Sequence, residues 1–279
     1  MVKDDTEARG GAAGFCYYEL IMFLILVVFF VFGAIIASFV GVISGRLNTG
    51  QGFFTGRSRC DACNTPLPTF ALVPVVSYFA SRGRALCCGS RLSLVSPITE
   101  LLLGSLFVLS YLNLGFTLAL LFFLISLSTL LALVLYDFAH QILPLSLLAV
   151  FVAVSAATGF FISPSLSAFY SSLATAFFVA MSLVLIHYFS RGRAMGLADT
   201  PLAFGLALLA GPAAFSGFIF SFWIGAVVGI AILLKRPNGS RMGVEVPFAP
   251  YLAAGFLLAY FTHTQWNPIA LILAIMGSP

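Results

Sequence analysis

From Leu20 to Val42 the chain runs 23 residues without a charged side chain. As a helix rising 1.5 Å per residue this stretch reaches about 35 Å, enough to cross a hydrocarbon core of about 30 Å. A barrel strand would alternate apolar and polar residues, which this run does not do. Lipid accepts only helices and closed barrels, because backbone polar groups find no water there. The rest of the sequence agrees: 61% of its 279 residues are hydrophobic and 8% are charged, with a mean hydropathy of +1.10. A soluble domain carries about 25% charged residues, so this chain cannot cover a globular surface with them. The expected fold class is an all-α membrane protein, a polytopic bundle of about eight transmembrane helices with a cysteine-containing cytoplasmic loop. Its environment is the lipid bilayer. A secreted enzyme, a nucleic-acid binder and a disordered scaffold are excluded, so no nucleic acid is expected as partner.

Apolar segments are expected near residues 17–44, 95–112, 116–136, 143–163, 166–189, 201–212, 215–234 and 248–275. Turn signals separate them at Asn113, Ser163-Pro164-Ser165, Gly211-Pro212 and Pro237-Asn238-Gly239. The first run is too long, and lacks a small-residue cleavage site, to be a removed signal peptide. The chain therefore divides into a tail (1–16), a first transmembrane helix (17–44), a cytoplasmic cysteine loop (45–94) and a transmembrane core (95–279). No internal repeat is evident.

Basic residues set the orientation. Of 13 Lys and Arg, six (Arg46, Arg57, Arg59, Arg82, Arg84 and Arg91) lie between the first and second segments. Arg191 and Arg193 follow the fifth segment, and Lys235, Arg236 and Arg241 follow the seventh. With eight spans these loops share one side, and the opposite loops carry no Lys or Arg. The positive-inside rule makes the basic side cytoplasmic. The formal net charge of +4 thus reports orientation rather than an acidic partner.

Most of the nine acidic residues fall in tails and loops. Glu100, Asp137 and Asp199 fall in or beside the apolar segments, where a carboxylate costs roughly 2.5–3.5 kcal/mol to insert and usually faces the bundle interior. By the same parity Asp137 and Asp199 stand at cytoplasmic helix ends, at one depth on different helices. If they meet, their chemistry is that of an aspartic protease: two close carboxylates share a proton and titrate as a unit. The charged one then takes a proton from water while the neutral one donates to a carbonyl. The alternative is that each Asp merely caps or ends its helix; Asp199 before an apolar run is a reasonable N-cap.

Cys60, Cys63, Cys87 and Cys88 lie in the cytoplasmic loop, where thiols stay reduced. A CxxC about 24 residues ahead of a second Cys pair suggests a structural zinc site with tetrahedral thiolate ligands. The alternatives are three ligands plus water, a distorted site using Cys87, or a metal-free loop. Adjacent cysteines rarely both ligate one zinc in a ribbon. Cys16 reads as a packing residue. His140, His187 and His263 lack metal-ligand spacing, although His140 lies three residues after Asp137, within helical reach.

Around these residues the sequence resembles the type IV prepilin peptidases, the GxGD-type intramembrane aspartyl proteases of peptidase family A24. Ala37-Ser38-Phe39 with Arg46-Leu47 is similar to the family's start, and Arg59-Cys60-Asp61-Ala62-Cys63 to its first CxxC. Pro74-Val75-Val76-Ser77-Tyr78, Arg82-Gly83-Arg84 and Ser96-Pro97-Ile98-Thr99-Glu100-Leu101 match the next motifs. Tyr136-Asp137 through Ile142-Leu143-Pro144 resembles the first catalytic motif, Met195-Gly196-Leu197-Ala198-Asp199 the second, and Val246-Pro247-Phe248-Ala249-Pro250-Tyr251 the last. The resemblance implies that Asp137 and Asp199 are the catalytic pair. It also implies that the substrates are prepilins or pseudopilins of type IV pili and type II secretion, cut after a short basic leader at the cytoplasmic face of a bacterial inner membrane. N-methylation of the new terminus from S-adenosylmethionine is the implied second activity. No Gly-rich nucleotide motif marks where that cofactor would bind.

Four positions depart from the family pattern. Ala198 stands where the family has Gly, removing the freedom for positive φ. Pro201 stands for a Lys, Leu145 for the acid of the LPD motif, and Gly41 for an Asn. In the cysteine loop Ala85 takes the place of the first Cys of the second pair, which makes Cys87 an off-register substitute. Two rival functions follow: a non-catalytic relative that holds pilin-like helices, and a transporter using Glu100, Asp137 and Asp199 as relay carboxylates. The missing repeats and broken-helix pairs count against a transporter.

Overall fold

The computed structural model describes residues 4–46, 62–63, 65–66, 75–192, 195–235 and 247–263. The described residues are mostly helical, with turns and an antiparallel bridge between Arg84 and Arg91. They fall into two compact units, one of Met1–Val42 and Gly50–Gly115, the other of Ile43–Thr49 and Phe116–Pro279.

The first unit holds α1 (Asp4–Arg46), the short α2 (Val76–Ala80) and α3 (Val95–Leu114). Helix α1 begins at Asp4, inside the stretch expected as a tail, and its membrane-length portion is Glu19–Gly45. Between lipid-embedded helices no hydrophobic gain drives association, so close backbone approach at small residues does the work. Gly33 and Gly104 provide it: a Cβ on Gly33 would stand 2.8 Å from the Gly104 Cα. Phe29 stacks on Tyr111 at 4.7 Å beside this contact.

The second unit holds α4 (Leu118–His140), α5 (Leu145–Ile162), α6 (Leu166–Ser190), α7 (Asp199–Ala210), α8 (Ala214–Lys235) and α9 (Ala249–Phe261). Thr117 caps α4 by accepting the Leu120 N–H at 3.2 Å, and Ser165 caps α6 by accepting that of Ala168 at 3.2 Å. Helix α7 is the hub, packed by α5, α6, α8 and α9, with Leu202, Ala203, Leu206 and Ala207 wholly buried. Its glycine lets α5 approach, since the Phe151 ring lies where a Cβ of Gly205 would be.

Among the described residues, six helical stretches have the length and hydropathy to cross a membrane. One is the continuous run Asp199–Leu234, which comprises α7, a turn and most of α8. Gly211, at φ 53° and ψ −120°, ends α7 and leads through a 3-10 turn into α8, and the two helices pack side by side. Each of the eight expected apolar segments thus holds a helix among its described residues, but they are not eight equal spans. Helix α7 has 12 residues, about 18 Å, against 22 in α8. Because the two share the Gly211 turn, Asp199 begins about 15 Å short of the far end of α8. The eighth segment is α9, and its expected continuation to residue 275 lies outside the described residues.

Candidate functional site

Asp137 lies three residues before the end of α4, which stops because Gln141 turns left-handed at φ 54°. The carboxylate is 6% exposed. It accepts a hydrogen bond from the Ala249 backbone N–H, at the first residue of α9, while its Oδ2 is buried with no partner among the described residues. The local chain explains that donor. Pro250 has no N–H, and the N–H groups of Tyr251 and Leu252 both donate to the Phe248 carbonyl, at 3.0 and 3.1 Å. The Ala249 N–H is left to the carboxylate.

Asp199, 8% exposed, is the first residue of α7. Its N–H donates to the Gly196 carbonyl at 3.3 Å and its carboxylate accepts the Gly196 N–H, a closed turn over four residues. The alternative N-cap role is not what the structure shows: Ala198 occupies that position and makes no side-chain cap, with Asp199 one residue inside. The two carboxylates lie within electrostatic reach of each other. Each sits at a helix N-terminus, Asp199 on α7 and Asp137 against α9, where partial positive charge equivalent to about +0.5 stabilises an anion. The two acids placed at one depth by the sequence are therefore brought together.

Glu100 is employed elsewhere. Its Oε2 accepts the Val75 N–H at 2.7 Å and its Oε1 the Ser96 hydroxyl at 3.0 Å, so both oxygens are taken. Val75 has φ 60°, a costly conformation for a β-branched residue, and this hydrogen bond helps hold it. His140 packs its ring on Tyr136 at 4.4 Å. The sequence reading missed the Ala249 N–H as a participant, although the motif containing it was matched. A backbone donor has no residue-type signature.

The cysteine hairpin belongs to the first unit. Its arms pair through Ala85 N–H to Ser90 O at 2.8 Å and Leu92 N–H to Gly83 O at 2.9 Å, and Gly89 closes the tip at φ 68°. Cys87 Sγ lies 3.2 Å from Cys63 Sγ and 3.9 Å from Cys88 Sγ, and all three sulfurs lie within 4.8 Å of one another. These three could hold a metal ion. Tetrahedral zinc–thiolate bonds of about 2.3 Å place sulfurs about 3.8 Å apart, so the donor set fits. Ala85 is buried at the base of the hairpin, and the off-register Cys87 is the thiol that meets Cys63. Cys60 lies outside the described residues.

Residues 31–114 match the model of the bacterial peptidase A24 N-terminal domain, a stretch that ends one residue before the first unit does. The chain is 30% identical over 240 residues to the prepilin leader peptidase/N-methyltransferase of Bacillus subtilis, covering 84% of this chain and 93% of that protein. It is 33% identical to the protein of the same name in Myxococcus xanthus, over 76% of this chain and 64% of the relative. With that of Legionella pneumophila the identity is 30%, over 75% and 73%. No solved structure matches the chain. With such identity running through nearly the full length of a relative, and the cysteine-bearing N-terminal domain matched besides, this chain belongs to the prepilin leader peptidase/N-methyltransferase family.

Proposed function

We propose that this chain is an intramembrane aspartyl endopeptidase that removes the leader of prepilin-like or pseudopilin-like substrates, with Asp137 and Asp199 as its catalytic pair. One observation carries the reading: Asp137 Oδ2 is a buried acceptor with no partner among the described residues, beside a second carboxylate. Leaving a charged acceptor unmatched costs more than the 1–3 kcal/mol of a neutral group, a cost that a bound water would relieve. The pair holds one proton between its two members. The ionised carboxylate takes a proton from a water seated at the open oxygen as that water adds to the scissile carbonyl carbon. The other gives its proton to the carbonyl oxygen. The tetrahedral diol then collapses: the C–N bond breaks, the proton taken from water passes to the leaving amine, and a diol hydroxyl returns its proton to the second carboxylate, restoring the singly protonated pair. The helix N-termini of α7 and α9 stabilise the single negative charge throughout.

The substrate would present its apolar helix to the bundle, with the basic leader at the cytoplasmic surface of the inner membrane. Eleven of the 13 Lys and Arg lie in the loops on one side, and the other two, Lys3 and Arg9, share the N-terminal tail with Asp4, Asp5 and Glu7, which supports that orientation. Zinc would sit among Cys63, Cys87 and Cys88, with Cys60 as the fourth ligand, and stabilise the loop as a structural ion. The methyl group of the second activity would come from S-adenosylmethionine.

The test is leader cleavage of a co-expressed prepilin, read as a mobility shift, by wild type, Asp137→Asn and Asp199→Asn at matched membrane levels. Cleavage by wild type and by neither variant is the expected result. Cleavage that survives either substitution would sink the pair. A wild type that cuts no prepilin would favour a family relative that binds pilin helices without cutting them.

A further inference from the structure

We propose that His187 is a positioning residue for Asp199, acting through a single peptide unit; this rests on the reading of Asp199 as catalytic. His187 lies near the end of α6, which closes when Arg191 turns left-handed at φ 52°. The Gly192 N–H returns to the His187 carbonyl at 2.9 Å. Gly192 has φ 76°, and a Cβ there would come within 3.3 Å of the imidazole, so the ring lies over this turn. From that position Nδ1 contacts the Met195 carbonyl oxygen at 2.8 Å. A carbonyl only accepts, so Nδ1 carries the proton and donates.

The Met195 C=O and the Gly196 N–H belong to one planar peptide group, their bonds pointing in opposite directions. Its oxygen is held by His187, and its N–H donates to the Asp199 carboxylate. The result is a continuous chain: imidazole N–H to carbonyl, and through the same amide, N–H to carboxylate. Donation at one end of an amide polarises it and strengthens donation at the other. His187 therefore fixes the rotation of the peptide group that aims Asp199 and sharpens its hydrogen bond.

The experiment compares His187→Asn, His187→Gln and His187→Leu with wild type and Asp199→Asn in steady-state cleavage of a purified prepilin, alongside thermal melting of each variant in detergent. The Asn amide nitrogen falls where Nδ1 is, whereas that of Gln falls where Nε2 is. The expected result is a fall in kcat of about tenfold to a hundredfold for Leu and Gln, with KM within about twofold, and recovery of most of the rate by Asn. Wild-type kcat in His187→Leu, or Asn as slow as Leu, overturns the proposal even with Asp199→Asn inactive. A loss that simply follows the melting temperature across the three variants overturns it as well. Cleavage by Asp199→Asn overturns the catalytic reading beneath, and this one with it.

Discussion

Ala198 has φ −68° and ψ −19°, ordinary right-handed backbone in which a Cβ is at ease. The glycine of the family pattern at this position is therefore not required for its positive φ here, and the turn that carries Asp199 closes with alanine in place. Ala198→Gly should leave cleavage within about twofold of wild type. It should lower stability by about 0.4–1 kcal/mol, because glycine loses more conformational freedom on folding. Thermal melting and the cleavage assay check the two halves, and a large gain in rate would show that the alanine constrains the site. Pro201 is equally benign: it is the third residue of α7, within the first turn, where a missing N–H has no intrahelical partner to lose. The two acids were legible in the sequence because a carboxylate is conspicuous in so apolar a chain. The Ala249 N–H and His187 were not, because one is backbone and the other draws its importance from a carbonyl eight residues away.

The apolar segments declare the helices, but not which face meets which. A helix bordered partly by lipid and partly by protein is apolar all round, so its periodicity says little about its contacts. Glycine spacing says more. Helix α8 carries Gly217, Ser221, Gly225 and Gly229 at four-residue intervals, and α9 lies against the first part of that row. A Cβ on Gly217 would stand 2.8 Å from the Phe256 Cα, and one on Gly255 would collide with the Ser221 backbone. Ser221 adds a hydroxyl hydrogen bond to the Leu252 carbonyl at 3.2 Å. Gly255→Ala should therefore cost about 1–3 kcal/mol by forcing α8 and α9 apart. It should also reduce cleavage, since α9 brings the Ala249 N–H to Asp137. Gly229→Ala is the control. Among the described residues nothing stands within 4 Å of its added Cβ, and alanine in place of glycine favours the helix by up to about 1 kcal/mol. Denaturant titration of the purified variants should separate the two, and equal stability would remove the case for tight α8–α9 packing. The shortness of α7 was partly legible in Gly211-Pro212; its burial at the centre of the unit was not, because that depends on four neighbours.

At the level of the molecule, the two chemistries fall in different units: Cys63, Cys87 and Cys88 in the first, Asp137 and Asp199 in the second. The sequence placed both on the basic side of the membrane through charge parity alone, an inference made from the whole chain and from no single residue. Cys87 and Cys88 sit near the tip of one hairpin and Cys63 reaches Cys87 from 24 residues earlier, whereas the aspartates are held by the ends of α4, α7 and α9. Nothing in the cleavage chemistry derived above passes through a thiol. Removing the metal from a thiolate site releases the hairpin from its ion, because such sites draw folding energy from binding. Zinc measured on the purified protein should come to about one ion per chain. It should fall in Cys87→Ser and in Cys88→Ser, which would identify the off-register thiol as a ligand. Chelation should speed alkylation of the cysteines and leave kcat for leader cleavage near its wild-type value. A kcat that fell in step with zinc content would mean instead that the hairpin takes part in the cleavage step. A rise in KM alone would assign it to holding the leader while the aspartates cut.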